Sequence, residues 1–177
     1  MDKELKLSNS YLEESVDTGF SSVRNEENPI GNFICDLMKK ELSTDCAIIN
    51  SGNIRADKVY DAGFMTIGDW NDLIPFEVPV LKIQCTGLML KNACENAVSK
   101  WPALEGRFIQ TSSLHFKFDP SKEPGNRVKI EDVTVGDIPV QEEELYTVAT
   151  SNYIAKGKDG FDCLVGCGIL IDAENAP

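Results

Sequence analysis

Residues 46–55 read CAIINSGNIR, and this stretch links the predicted fold to a candidate site. The apolar run at residues 46–49 predicts a short buried strand, and the polar cluster at residues 50–53 predicts the turn that ends it. A strand that ends in a glycine-containing turn lets backbone N–H groups approach an anion, and Arg55 stands directly beside this turn. The alternative is that Arg55 is a surface side chain paired with Asp57 or Asp61.

The sequence on either side predicts helices and strands that do not alternate regularly. Asn28-Pro29 is typical of a helix start, and apolar residues recur at helical spacing from there to Leu42. Thr66 and Asp69 resemble a capping box for a short helix, and Thr86 suits the cap of a second long helix. Further strands are predicted at residues 78–85, 114–118, 128–135, 145–150 and 168–171, with an acidic turn joining 128–135 to 145–150. This pattern predicts an α+β fold with largely antiparallel sheets.

The composition limits the classes of partner. A chain of 177 residues corresponds to one ordinary domain, and 17 basic against 29 acidic residues give a net charge of −12. Binding to nucleic acids or anionic membranes rests on basic surfaces, so we expect neither. The chain has no apolar N-terminal segment and no stretch near 18 apolar residues, so we expect a soluble chain without a signal peptide or membrane span.

The histidine and cysteine counts limit the chemistry. One histidine, His115, cannot build an imidazole-rich metal centre. The six cysteines contain no CxxC pair, which argues against zinc; they are either free buried thiols or one or two disulfides. A cysteine hydrolase that uses His115 is disfavoured, because no cysteine stands at an evident helix start or in a basic setting.

Three further residues lie in predicted loops. Phe76 follows Pro75 after the short helix, and Tyr153 follows the strand predicted at residues 145–150. Aromatic side chains in loops can stack on a flat base, although a single loop aromatic is more often part of the core or of the rim packing. Asp159 stands between Lys158 and Gly160 in a tight loop, where its carboxylate can accept from a ribose hydroxyl or simply stabilise a turn.

Seven stretches of the chain occur in a characteristic order, and together they resemble the C-terminal domain of the 5′-nucleotidase family from about Arg24 to Leu164. They read SVRNEENPIGNFICDLM, AIINSGNIRAD, GFMTIGDWNDLIPF, LKIQCTGLMLKNACENAV, EGRFIQTSSLHFKFDP, PGNRV and YTVATSNYIAKGKDGFD. The resemblance implies a layered α/β/β/α sandwich with mixed, mainly antiparallel sheets.

The resemblance also implies a substrate-binding site made of eight residues: Arg24, Asn50, Gly52, Asn53, Arg55, Phe76, Tyr153 and Asp159. The two arginines are implied to contact the phosphate, and the two aromatic residues to sandwich the nucleobase. The aspartate is implied to bind ribose hydroxyls, and Asn50 to contact the base or another part of the substrate.

Three positions depart from the family pattern. Asn53 stands where a second glycine is usual, Glu77 follows Pro-Phe where glycine is usual, and Lys158 replaces a glycine before Asp159. These changes affect the backbone approach to the substrate and the charge near it. We therefore expect a nucleotide-like ligand, which need not be AMP.

The resemblance implies that catalysis resides elsewhere. The family hydrolyses phosphate esters at a two-metal centre in an N-terminal metallophosphoesterase domain, so two divalent metals are expected there and no cofactor or catalytic residue in this chain. Residues 1–23 are interpreted as a linker or N-terminal extension, and residues 24–177 as the domain. The isolated chain is expected to be inactive, its parent can be secreted or surface-exposed, and the alternative is a stand-alone, non-catalytic module that binds nucleotides or sugar nucleotides.

Overall fold

The computed structural model describes residues 11–175, which form five helices and twelve strands. The helices are α1 (Phe20–Val23), α2 (Pro29–Leu42), α3 (Ile67–Leu73), α4 (Gly87–Val98) and α5 (Asn152–Ala155). The strands are β1 (Tyr11–Leu12), β2 (Val16–Asp17), β3 (Cys46–Asn50), β4 (Val59–Tyr60), β5 (Gly63–Phe64), β6 (Val80–Thr86), β7 (Ile109–Ser112), β8 (Leu114–Phe116), β9 (Val133–Val135), β10 (Ile138–Pro139), β11 (Leu145–Ser151) and β12 (Gly168–Ile171).

A five-stranded mixed sheet forms the centre of the structure, with strand order β12-β6-β11-β3-β7. The pair β11 and β3 is parallel, whereas the other three pairs are antiparallel. The strand predicted from the opening stretch is β3, and all five of its residues are buried. The predicted α+β class with mixed, mainly antiparallel sheets is confirmed.

The two faces of this sheet belong to two hydrophobic cores, because successive residues of a strand point to opposite faces. Cys46 and Ile48 of β3 lie in one core with the buried face of α4, whereas Ala47 and Ile49 lie in the other with the buried face of α2. Both faces of β3 are therefore packed against a hydrophobic core.

The acidic segment differs from its prediction. We expected residues 128–135 and 145–150 to be strands joined by an acidic turn. Instead β9 pairs with β10 and β8 in a separate three-stranded sheet, while β11 lies in the central sheet. Of the first predicted strand only Val133–Val135 is observed as a strand, because Ile130–Asp132 form a 3₁₀ turn, and β10 lies within the segment predicted as the acidic turn. The sequence pattern does not specify these bounds or which strands pair.

The predicted helix starts are confirmed at atomic level. The side chain of Asn28 accepts a hydrogen bond from the Ile30 N–H, with Pro29 at the first helical position. Thr66 and Asp69 form a reciprocal capping box at α3, and the Thr86 side chain accepts from the Met89 N–H at α4. Each cap satisfies a backbone donor that the helix itself leaves free.

The segment before Arg24, which the sequence interpretation assigned to a linker, is packed where it is described. Val16 and Val23 belong to the core under α2, and the Thr18 hydroxyl donates to the Lys58 carbonyl at 2.7 Å. The linker interpretation therefore stays a prediction for residues 1–10, which lie outside the described residues.

All six cysteines are free thiols, so the first of the two predicted alternatives, free thiols or disulfides, is the one observed. Four of them are buried, and burial raises the pKa of thiols such as Cys94 and Cys35 above the ordinary range. Raised pKa values keep these groups protonated at neutral pH, as expected of core residues. Within residues 11–175, no helix combines the length and apolarity needed to cross a membrane.

Candidate functional site

One open cavity of about 690 Å³ contains all eight residues predicted for the site. They come from four separate segments of the chain, between residues 24 and 159. The cavity is lined by Arg24, Asn50, Gly52, Asn53, Arg55, Pro75, Phe76, Glu77, Val78, Gly106, Tyr153 and Asp159. Its volume is in the range of pockets that hold small-molecule ligands.

The floor of the cavity is the turn after β3, where two asparagines are almost fully buried. Asn50 and Asn53 are 3% and 6% exposed. The Asn53 amide donates to the Asn50 Oδ1 at 2.7 Å, and the Asn50 amide donates to the Asp159 Oδ2 at 2.9 Å. Asn53, which departs from the family pattern, thus orients the amide of Asn50 towards the aspartate.

Two glycines allow the loops below the cavity to touch. The Gly52 N–H donates to the Gly106 carbonyl at 3.0 Å. A Cβ on Gly106 would lie 3.0 Å from the Gly52 Cα, and one on Gly52 would lie 3.3 Å from the Gly106 Cα. Side chains at these positions would separate the loops, so the glycines serve close backbone packing.

Tyr153 and Asp159 form a hydrogen-bonded pair on another wall. Tyr153 lies in α5, and its hydroxyl donates to the Asp159 Oδ1 at 3.0 Å. This bond to the carboxylate raises the pKa of Tyr153 above its usual value. Loss of the hydroxyl proton would break the hydrogen bond and place a phenolate beside a carboxylate, so the neutral form of the tyrosine is favoured. The pair fixes the tyrosine ring beside the carboxylate.

The loop that carries Asp159 is held in an unusual conformation. Asp159 has a φ of 54°, and the next residue, Gly160, has a φ of 81°. The Asn96 amide donates to the Asp159 carbonyl at 3.0 Å, and Arg107 in turn donates to the Asn96 Oδ1 at 3.2 Å. These contacts to α4 keep the carboxylate facing the cavity.

The two arginines meet at a phenylalanine that the sequence interpretation missed. The Arg24 Cζ lies 3.9 Å and the Arg55 Cζ 5.6 Å from the ring centroid of Phe20. Burial and the neighbouring positive charge of Arg55 lower the pKa of Arg24 from its usual value. Two like charges are therefore held close together on one side of the cavity.

The alternative interpretation of Arg55, as a surface side chain in an ion pair with Asp57 or Asp61, does not agree with the observed contacts. None of the ion pairs among residues 11–175 includes Arg24 or Arg55. Asp57, one of the two candidate partners, instead accepts a hydrogen bond from the Phe20 N–H at 2.9 Å. The arginine charges thus remain available to an anion.

Phe76 presents an exposed ring to the same cavity. Its side chain is 49% exposed, and its ring centroid lies 5.9 Å from the Arg55 Cζ. Of the two charged departures from the family pattern, Glu77 lines the cavity, whereas Lys158 is exposed and does not. The carboxylate of Glu77 is therefore the departure that can influence ligand choice.

The side chains that line the cavity carry guanidinium, carboxylate, amide and aromatic groups. Its described lining includes no cysteine, serine or histidine, and His115 is exposed on β8. Within residues 11–175, His, Cys, Asp and Glu side chains do not form any group of three or more that could hold a metal ion.

Two of the cavity's determinants, Phe20 and Gly106, were not predicted. Phe20 stands four residues before Arg24, and side chains at this spacing lie on the same face of a helix. The spacing could therefore have indicated a contact between the two residues. Gly106 lies in the stretch EGRF, but its role depends on contact with Gly52, which is distant in sequence.

Comparisons with known proteins agree on one family. The model of the family described as "5′-nucleotidase, C-terminal domain" matches residues 10–166. The trifunctional nucleotide phosphoesterase protein YfkN of Bacillus subtilis is 32% identical over 158 residues, which cover 85% of this chain and 11% of that protein. The human 5′-nucleotidase is 30% identical over 166 residues, which cover 84% of this chain and 29% of the relative.

A solved structure shows the same fold. The crystal structure of a 5′-nucleotidase precursor from Thermus thermophilus matches with a TM-score of 0.83 and 30% identity, over 93% of this chain and 33% of that one. The chain therefore spans a third or less of the length of these relatives.

Proposed function

This chain belongs to the family of 5′-nucleotidase C-terminal domains, and from that premise we propose that it is the substrate-binding part of a 5′-nucleotidase-type phosphoesterase. The observation that carries the proposal is the convergence of eight residues from distant segments on one cavity. The two aromatic rings match the base of a nucleotide, the two cations match its phosphate, and the carboxylate of Asp159 matches its ribose.

The base binds between Phe76 and Tyr153. Both side chains line the cavity and are 49% and 41% exposed, so each has ring surface that a ligand can cover. A planar base between two rings removes apolar surface from water and gains stacking on both sides.

The ribose binds at Asp159. Each oxygen of its carboxylate accepts one hydrogen bond within the protein, from Tyr153 or from Asn50. A carboxylate has about four lone-pair sites, so both oxygens can still accept from a ribose hydroxyl. The existing bonds hold the carboxylate in a fixed orientation before the ligand arrives.

The phosphate binds at Arg24 and Arg55. Neither has a carboxylate partner among residues 11–175, and both contact the same ring. Guanidinium groups bind phosphate oxygens through charge-assisted hydrogen bonds, which are stronger than neutral ones.

Hydrolysis requires a part of the parent protein that this chain does not contain. Two divalent metals in an N-terminal metallophosphoesterase domain would activate water and stabilise the transferred phosphoryl group. The described residues do not offer a donor set for such metals, so no catalytic step is assigned to them. This chain selects and orients the substrate.

Titration calorimetry of the purified chain with AMP and with adenosine tests the proposal. We expect both ligands to bind, and AMP to bind more tightly than adenosine. Arg55→Ala should weaken AMP binding about 10- to 150-fold, because a charge-assisted hydrogen bond is lost. Lys129→Ala, an equal change of net charge at an exposed residue outside the cavity, is the matched control. Failure of both ligands to bind would contradict the proposal.

A further inference from the structure

Two guanidinium groups share one aromatic ring beside the candidate site. Phe20 opens α1, and Arg24 follows one helical turn later, so both project from the same side of this short segment. Arg55 reaches the ring from the turn after β3. The ring is thus the point at which two segments distant in sequence bring their positive charges together.

Phe20 is itself held by several backbone contacts. Its N–H donates to the Asp57 Oδ1 at 2.9 Å, and the preceding Gly19 N–H donates to the Asp17 Oδ1 at 2.8 Å. Val23, at the other end of α1, is fully buried in the core beneath α2. These contacts fix the backbone on both sides of the ring.

The choice of an aromatic ring has an electrostatic consequence. Two nearby guanidinium groups repel each other, and the charges of the Asp57 and Asp159 carboxylates offset part of this repulsion at Arg24 without forming an ion pair with it. A carboxylate paired directly with a guanidinium group would occupy its N–H donors. The negative face of an aromatic ring attracts cations without accepting those hydrogen bonds. The Arg24 Nε is buried and has no hydrogen-bond partner among residues 11–175, although one Nη donates to the Leu104 carbonyl at 3.0 Å.

We propose that Phe20 is a positioning residue that holds Arg24 and Arg55 together as one receptor for the phosphate of a nucleotide. This inference rests on the proposed function and adds a residue to it. Phe20 does not contact the phosphate; it sets the separation and direction of the two cations that do. Phe20 therefore affects the difference in affinity between a nucleotide and its nucleoside, and it leaves the affinity for the nucleoside unchanged.

The test compares three variants by calorimetry, with AMP and adenosine as the two probes. Phe20→Leu keeps apolar bulk but removes the aromatic face, Phe20→Trp keeps an aromatic face, and Phe64→Leu is the control at an exposed phenylalanine outside the cavity. The advantage of AMP over adenosine should fall about 5- to 30-fold in Phe20→Leu, since two cation–π contacts are lost. The adenosine affinity should stay constant, and both Phe20→Trp and Phe64→Leu should keep the advantage.

Three outcomes would overturn the inference, and they differ in what they mean for the proposed function. If Arg55→Ala removes the AMP advantage while Phe20→Leu keeps it, the positioning role is overturned and the phosphate site stands. If the unmodified chain binds AMP no better than adenosine, the phosphate site fails and the inference fails with it. A Phe20→Leu protein that loses adenosine binding equally would reveal a general structural role and would also overturn the inference.

Discussion

Replacement of Phe76 by alanine probes the most exposed part of the proposed base site. The ring lines the cavity, is 49% exposed and lies 5.9 Å from the Arg55 guanidinium carbon. Stacking of a base on an aromatic side chain is worth about 1–3 kcal/mol, so Phe76→Ala should weaken adenosine binding about 5- to 150-fold. AMP should lose at least as much, because the substitution also removes the ring beside Arg55.

The same substitution should leave the fold intact. A side chain that is half exposed contributes little to the core, and we expect the free energy of unfolding to change by about 0.5 kcal/mol or less. Phe64→Ala is the matched control: Phe64 is 71% exposed, contacts Tyr11 at a ring distance of 4.9 Å and does not line the cavity. Calorimetry gives the affinities, and urea denaturation gives the stabilities.

Unchanged adenosine affinity in Phe76→Ala, with the protein folded, would refute the base assignment. An equal loss in Phe64→Ala would indicate a general effect of removing surface phenylalanines and would refute it as well.

Three other predictions concern the Tyr153–Asp159 pair, the cap of α3 and the release of phosphate. Asp159→Asn should lower the pKa of Tyr153 towards its usual value, because the carboxylate that raises it is gone; ultraviolet titration of tyrosine measures this. Thr66→Ala should reduce the free energy of unfolding by about 1 kcal/mol at pH 7 in urea denaturation. The capping contacts lower the pKa of Asp69 in the folded state, so their stabilisation is present above the unfolded value, about 3.9, and disappears as pH falls through the folded pKa. The purified chain should release no phosphate from AMP with Mn²⁺ or Zn²⁺, and steady turnover in a phosphate assay would reveal a catalytic centre within it.

Local features of the fold could be predicted from the sequence because neighbouring residues determine them. The caps at Asn28, Thr66 and Thr86 depend on residues within one helical turn, and all three are confirmed. The strand partners of residues 128–135 and 145–150 depend on contacts across the whole chain, so the sequence pattern predicted strands there but not their pairing.

The candidate site was predicted in the same uneven way. The family resemblance identified residues that line the cavity, such as Asn50 and Asp159, but it did not indicate that Asn53 orients Asn50. Phe20 was missed because it fell in a segment interpreted as a linker, whereas its ring contacts Arg55, 35 positions later in the chain. Such a contact becomes visible only when distant segments are seen together.

A crystal structure of this chain with AMP bound would test the proposed nucleotide site most directly. We expect the base between the rings of Phe76 and Tyr153, the ribose at Asp159, and the phosphate within hydrogen-bond distance of Arg24 and Arg55. AMP bound outside this cavity, or inside it with the phosphate directed away from both arginines, would contradict the proposed binding mode.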